Sequence, residues 1–129
     1  WADNLKIKIV VSQTYGAVDC TWLYDGNFRP YFVAGPKEFL NLCKYATGII
    51  GSSFHIVAFA VILQKPFWAV NGLKDSRVAN FLRLVGLESR SIEQTKNPNV
   101  SSDIDFNLVQ EKLKLERQKS IQWLYDSLK

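Results

Sequence analysis

The chain contains no methionine, one histidine (His55) and two cysteines (Cys20 and Cys43). A single histidine with two widely spaced cysteines does not make a metal site, so no metal and no cofactor is expected. Cys43 falls on an apolar helical face and reads as a buried thiol. Cys20 falls in a loop. Free thiols in a reducing cytoplasm are the expectation for both. Long apolar runs are missing too. The longest, Ile56 to Leu63, is far short of the roughly 20 residues that span a bilayer, so no membrane span is expected. The start at Trp1 and the lack of methionine lead us to expect a piece of a longer protein. We place it in the cytoplasm or at the inner face of the membrane.

Charge of one sign is not concentrated anywhere. The formal net charge is +4 with a pI near 9.1, and Lys112, Lys114, Arg117 and Lys119 alternate with Glu111 and Glu116. Such alternation is the usual dress of a solvated helix face. No basic run with interleaved aromatics occurs, so nucleic acid is not expected as a partner. A mild positive field suits a small anionic ligand equally well.

What is present is the composition of a globular domain, 47% apolar over 129 residues, which is enough chain for a real core. Leu5 to Val11 reads as a strand. Ser12 to Pro30 reads as a long loop, and Tyr31 to Val33 as a short strand. Pro36 is suited to a first helical position, and Phe39, Leu42, Cys43 and Ala46 follow at helical spacing. Gly48 to Ile50 is a short buried strand. A helix from Phe54 to about Leu63, apolar nearly all round, is expected to be buried on most sides. Phe67 to Val70 is the next strand, and Asn71-Gly72 turns the chain. Asp75-Ser76 caps a helix ending near Val85, with Val78, Phe81, Leu82 and Val85 inward and Gly86 as its stop. Glu88 to Ser102 is polar and expected to be exposed. Asp105 opens a last helix whose buried stripe is Phe106, Val109, Leu113, Ile121, Leu124 and Leu128. Arg117, Lys119, Ser120 and Trp123 on it read as structural, and Trp1 and Trp22 have no assigned role.

Short apolar strands alternating with helices predict an α/β fold, a Rossmann-like three-layer domain with a parallel sheet, over residues 1–129. Ligands in such sheets bind where the carboxyl ends of strands lead into helix N-termini. That rule selects Gly51-Ser52-Ser53-Phe54-His55. Gly51 permits the turn, Ser52 and Ser53 start the helix, and its first turn offers unpaired N–H groups to an anion. His55 lies in that turn. The plainer account of the same residues is a serine cap on a buried helix, with His55 a satisfied core side chain. The loop after the next strand carries Lys74 and Arg77, either facing that anion or merely flanking a helix. Arg29 and Lys37 read as surface charge.

These segments together resemble the polysaccharide pyruvyl transferase family. The resemblance runs through Gly35-Pro36-Lys37-Glu38-Phe39-Leu40, Ser52-Ser53-Phe54-His55, Phe59-Ala60 and Lys65-Pro66-Phe67. It continues at Arg77, Phe81-Leu82 and Gly86-Leu87, and at Arg117 to Leu124. It implies the C-terminal half of a two-domain protein built like a GT-B glycosyltransferase. It also implies transfer of the enolpyruvyl unit of phosphoenolpyruvate onto sugar hydroxyls, with a glycan or lipid-linked sugar as acceptor and an N-terminal domain as partner. Carried over from the family, His55 is the catalytic candidate. The substrate-binding candidates are Ser52 and Ser53, from the helix start, and Lys74 and Arg77, in the loop where the family has a basic residue. Ile56 stands where many relatives have Gly, and Ser53 where one branch has Arg. A GT-B glycosyltransferase half using a nucleotide sugar, and a non-catalytic anion- or glycan-binding domain, are the alternatives.

Overall fold

The computed structural model describes residues 9–12, 28–31, 35–93 and 103–129, with the first two stretches described by backbone alone. The chain divides into two units, Trp1–Leu42 and Cys43–Lys129. In the first, strand β1 (Ile9–Ser12) pairs in parallel with β2 (Phe28–Tyr31), Ile9 opposite Phe28. The second strand thus begins at Phe28, inside the stretch read as loop, and takes in Pro30. Proline is confined to strand edges because it cannot donate to a ladder. The expectations for Leu5 to Lys8, Cys20, Trp1 and Trp22 lie outside the described residues. Helix α1 (Pro36–Tyr45) starts at its proline and takes Glu38 in its first turn and Lys44 in its last, which complements the helix dipole.

The second unit is built on a parallel three-stranded sheet, β3 (Ile49–Gly51), β4 (Phe67–Val70) and β5 (Ser91–Ile92), in that spatial order. The α/β reading with a parallel sheet holds. Helix α2 (Phe54–Ile62) connects β3 to β4, and α3 (Ser76–Val85) connects β4 to β5. The last helix is α4 (Phe106–Ser127). Strand pleat sorts the side chains. Phe67 and Ala69 are buried, whereas Trp68 and Val70 between them are half-buried. Both helices lie on the Phe67–Ala69 face. Val78 and Leu82 of α3 close with Ala69 around Gly72, and Ile56 of α2 closes on Gly51, the register partner of Ala69. Phe54 meets Phe81 edge to face with centroids 5.7 Å apart, which joins the two helices. Val57, Ala60, Val61, Val78, Ala79, Leu82 and Val85 fill the core between them. The opposite face carries Ile50, 41% exposed.

Both sequence-read ends of α3 are as expected. The Asp75 carboxylate accepts from the backbone N–H groups of Arg77 and Val78, and Gly86 stops the helix in the left-handed region at φ 73°. Cys43 is buried, and burial pushes its thiol pKa up.

Helix α2 is exposed on one face only, at His55 and at Ile62, 59% exposed, and its other residues are buried or half-buried. Two expectations are corrected. The stretch after Glu88 is not uniformly exposed. Arg90 is 4% exposed, its guanidinium 4.9 Å from the centroid of the Trp68 ring, and β5 follows it directly. Burial lowers the Arg90 pKa, and the charge of Asp103 opposes that shift. Finally, the α4 stripe is buried only at its start. Val109 is buried, Phe106 and Leu113 are half-buried, and Ile121, Leu124 and Leu128 are exposed. Arg117, Lys119, Ser120 and Trp123 are exposed with them, so they do not serve as packing across the domain.

Candidate functional site

Parallel pairing fixes which loops share an edge. Gly51 lies opposite Ala69, and Val70 opposite Ile92. The chain leaving β3 through Ser52-Ser53, the chain leaving β4 through Asn71 to Arg77, and Glu93 after β5 therefore emerge at one carboxyl-end edge of the sheet. This brings together Ser52, Ser53 and His55 with the loop of Lys74 and Arg77.

The first loop is open. Ser53 is the N-cap of α2, extended at φ −76° and ψ 139°, but its hydroxyl makes no capping bond. Its carbonyl accepts the Val57 N–H at 3.2 Å, so the helix hydrogen bonding starts there. The N–H groups ahead of Val57 are left without intrahelical partners, as at any helix start. Ser52, Ser53 and His55 are exposed. Among the described residues neither serine hydroxyl has a protein partner. The His55 ring is held at its edge by Phe54, 6.0 Å away between centroids and steeply inclined at 77°. Phe54 is itself seated on Phe81. His55 is thus a solvent-facing imidazole on a packed turn and not a core histidine.

Gly51 has a steric reason. A Cβ built there would meet the Ile56 Cγ2 at 2.7 Å and its Cδ1 at 3.0 Å. The Ile56 side chain folds back over the strand end and packs against the turn.

The second loop is closed on itself. Asn71 adopts the left-handed conformation, the backbone turns through a 3₁₀ segment at Gly72–Lys74, and Asp75 caps α3. The Arg77 Nη2 lies 3.1 Å from the Asp75 carboxylate, and its Nε donates to the same group. The Arg77 guanidinium, with help from the backbone N–H groups of Val78 and Arg77, holds the Asp75 pKa below its ordinary value, and Asp75 raises that of Arg77. The N-terminus of α3 is therefore already neutralised by its own carboxylate, and Arg77 is committed to that carboxylate. Lys74 is exposed, and its ammonium makes no hydrogen bond or ion pair among the described residues. Of the two cations, it is the uncommitted one.

No family model, no curated protein and no solved structure matches the chain. The site therefore rests on its own geometry. Among the described residues no cluster of His, Cys, Asp or Glu could hold a metal ion, and no helix is long and apolar enough to cross a membrane. One positioning residue was missed by sequence reasoning. The Ser91 hydroxyl accepts the Leu73 N–H at 3.0 Å and pins the turn that carries Lys74 to β5. Its signal was hidden because Ser91 lies in a polar stretch read as exposed.

Proposed function

We propose that this chain is the C-terminal half of a polysaccharide pyruvyl transferase-like enzyme, working at the carboxyl-end edge of β3 and β4. The observation that carries the reading is the contrast between two neighbouring helix starts. That of α3 is filled by Asp75, whereas that of α2 is open, with two uncommitted hydroxyls, an exposed imidazole and the Lys74 turn on the same edge. An open helix start with a nearby cation suits the phosphate and carboxylate of phosphoenolpyruvate. The parallel sheet with helices on its Phe67 face suits a Rossmann-like half of a GT-B-type protein. A third layer over the Ile50 face and an N-terminal domain across a cleft complete that proposal.

The chemistry asks for little more than proton management. A proton is delivered to the methylene carbon of phosphoenolpyruvate, and the adjacent carbon gains oxocarbenium character. One sugar hydroxyl adds there, phosphate leaves with its C–O electron pair, and a second hydroxyl closes the ketal. Of the two hydroxyl protons, one ends on the new methyl group and one on phosphate. His55 is the group to move a proton at the methylene carbon or at the attacking hydroxyl. Ser52, Ser53 and the α2 N–H groups hold the anion, with Lys74 as its counter-charge and Arg77 as the clamp on the Asp75 cap. The acceptor is a glycan or lipid-linked sugar.

His55 is the only histidine, so its ring protons are a clean NMR reporter. Phosphoenolpyruvate is expected to shift them, and Lys74→Ala to weaken that response. A response to a nucleotide sugar alone would transfer the site to glycosyl transfer. Silence toward both ligands, in this chain and in the two-domain parent that the proposal calls for, would remove the donor site. Binding without any ketal formation by that parent would leave a non-catalytic anion-binding domain.

A further inference from the structure

Helix α4 changes character along its length. Up to Glu116 it is anchored. Val109 is buried, Gln110 donates to the Val61 carbonyl at 3.3 Å, and Lys112 reaches the Val85 carbonyl at 3.5 Å. From Arg117 to Lys129 every residue is exposed, a stretch about 20 Å long at the α-helical rise. Its side-chain hydrogen bonds and ion pairs are all made within the helix. A helical stretch this short has marginal stability in water without packing.

Its apolar side chains are not scattered. At the 3.6-residue period, Trp123, Leu124, Leu128, Ile121 and Tyr125 fall within an arc of about 200° that continues the anchored side of Val109 and Leu113. They are 70%, 52%, 77%, 47% and 64% exposed. Ser120 and Ser127 lie on the same arc, and their hydroxyls donate to the Glu116 and Trp123 carbonyls. The arc can therefore be dried without leaving these hydroxyls unpaired. Leu115, 57% exposed, lies on the far side of the helix.

We infer that this arc is a self-association surface and that its occupant is a second copy of the chain, helix against helix and antiparallel. The five side chains leave on the order of 550 Å² open at ordinary side-chain sizes, near the top of what a monomer shows. An isologous pairing buries up to about twice that and, with flanking polar atoms, approaches the roughly 1,200 Å² at which stable interfaces begin. With the two-fold axis near Ser120 and Ile121, Arg117, the one charged residue of the Arg117–Lys129 stretch on the arc, falls beside Tyr125 of the second copy, whose ring can take a guanidinium. An anionic membrane is the poorer occupant. The polar side offers only Lys119 and Lys129, and both are in ion pairs, with Glu116 at 2.6 Å and Asp126 at 3.6 Å.

The test is sedimentation equilibrium of this chain from low to high micromolar concentration, with circular dichroism as a check on folding. A monomer–dimer equilibrium is expected. Leu124→Asp and Ile121→Asp should each weaken it by at least about tenfold, and Leu115→Asp should leave it within about twofold. A monomer at every concentration overturns the inference. So does a dimer that survives both Leu124→Asp and Ile121→Asp, or one weakened as much by Leu115→Asp. Co-sedimentation of a non-associating chain with phosphatidylserine vesicles would give the arc to a membrane instead.

Discussion

Replacing Gly51 by alanine tests whether the β3–α2 turn is held by the Ile56 side chain. The new methyl would sit 2.7 Å from the Ile56 Cγ2, with Cδ1 at 3.0 Å. Isoleucine is branched at that point and cannot swing its Cγ2 aside without changing rotamer. Overpacking of this kind costs about 1–3 kcal/mol, reduced by the roughly 0.4–1 kcal/mol gained when a glycine is removed from the unfolded chain. Gly51→Ala alone should therefore destabilise by about 1–2 kcal/mol. Ile56→Ala removes a half-buried side chain and should cost about 1–2 kcal/mol, below the fully buried range. In the double variant the clash is gone, so the alanine at 51 should become neutral or slightly stabilising. The cycle should then show a favourable coupling of about 1.5–3 kcal/mol. Urea unfolding of the four proteins, followed by far-ultraviolet circular dichroism at a common m-value, measures it. Additivity within about 0.5 kcal/mol would refute the steric account of Gly51.

Two further outcomes follow from charged groups. The Asp75 pKa is lowered in the folded chain by Arg77 and by two backbone N–H groups. Its contribution to stability is therefore present above the unfolded pKa, near 4, and is lost as pH falls through the lower folded value. Asp75→Asn should flatten that part of the acid unfolding curve, and an unchanged acid arm would sink the assignment. Arg90 should not tolerate truncation. Arg90→Ala removes a buried cation stacked on Trp68 and should cost about 2–4 kcal/mol in urea unfolding, and a loss below about 1 kcal/mol would show the contact to be incidental.

The helices were legible because their signals are local. Pro36 starts α1, Asp75 and Gly86 bound α3, and Asp105 caps α4 through the N–H groups of Asn107 and Leu108. Strand β5 was not legible, because two residues with Arg90 directly before them carry no strand pattern. Periodicity correctly grouped Leu113, Ile121, Leu124 and Leu128 on one helix face. It holds no information on whether anything lies against that face, and the second half of α4 is open. At the site, the sequence rule placed Ser52, Ser53 and His55 at a strand end, and the parallel register of β3 and β4 agrees. The difference between Lys74 and Arg77 was harder to see. It depends on Asp75 acting as cap and ion-pair partner at once, which takes Arg77 and leaves Lys74.

The tie made by α4 has a wider consequence. Gln110 and Lys112 reach carbonyls at the C-terminal ends of α2 and α3, Val61 and Val85, where a lysine also meets the negative end of a dipole. Those ends are at the opposite side of the unit from Ser52, His55 and Lys74. Under the proposed function, cohesion and recognition fall at different ends of the same helices. The exposed side chains Ser52, Ser53, His55 and Lys74 can change at little cost to folding, so under the proposed function the Cys43–Lys129 unit is a scaffold on which ligand preference can drift while the core stays as it is.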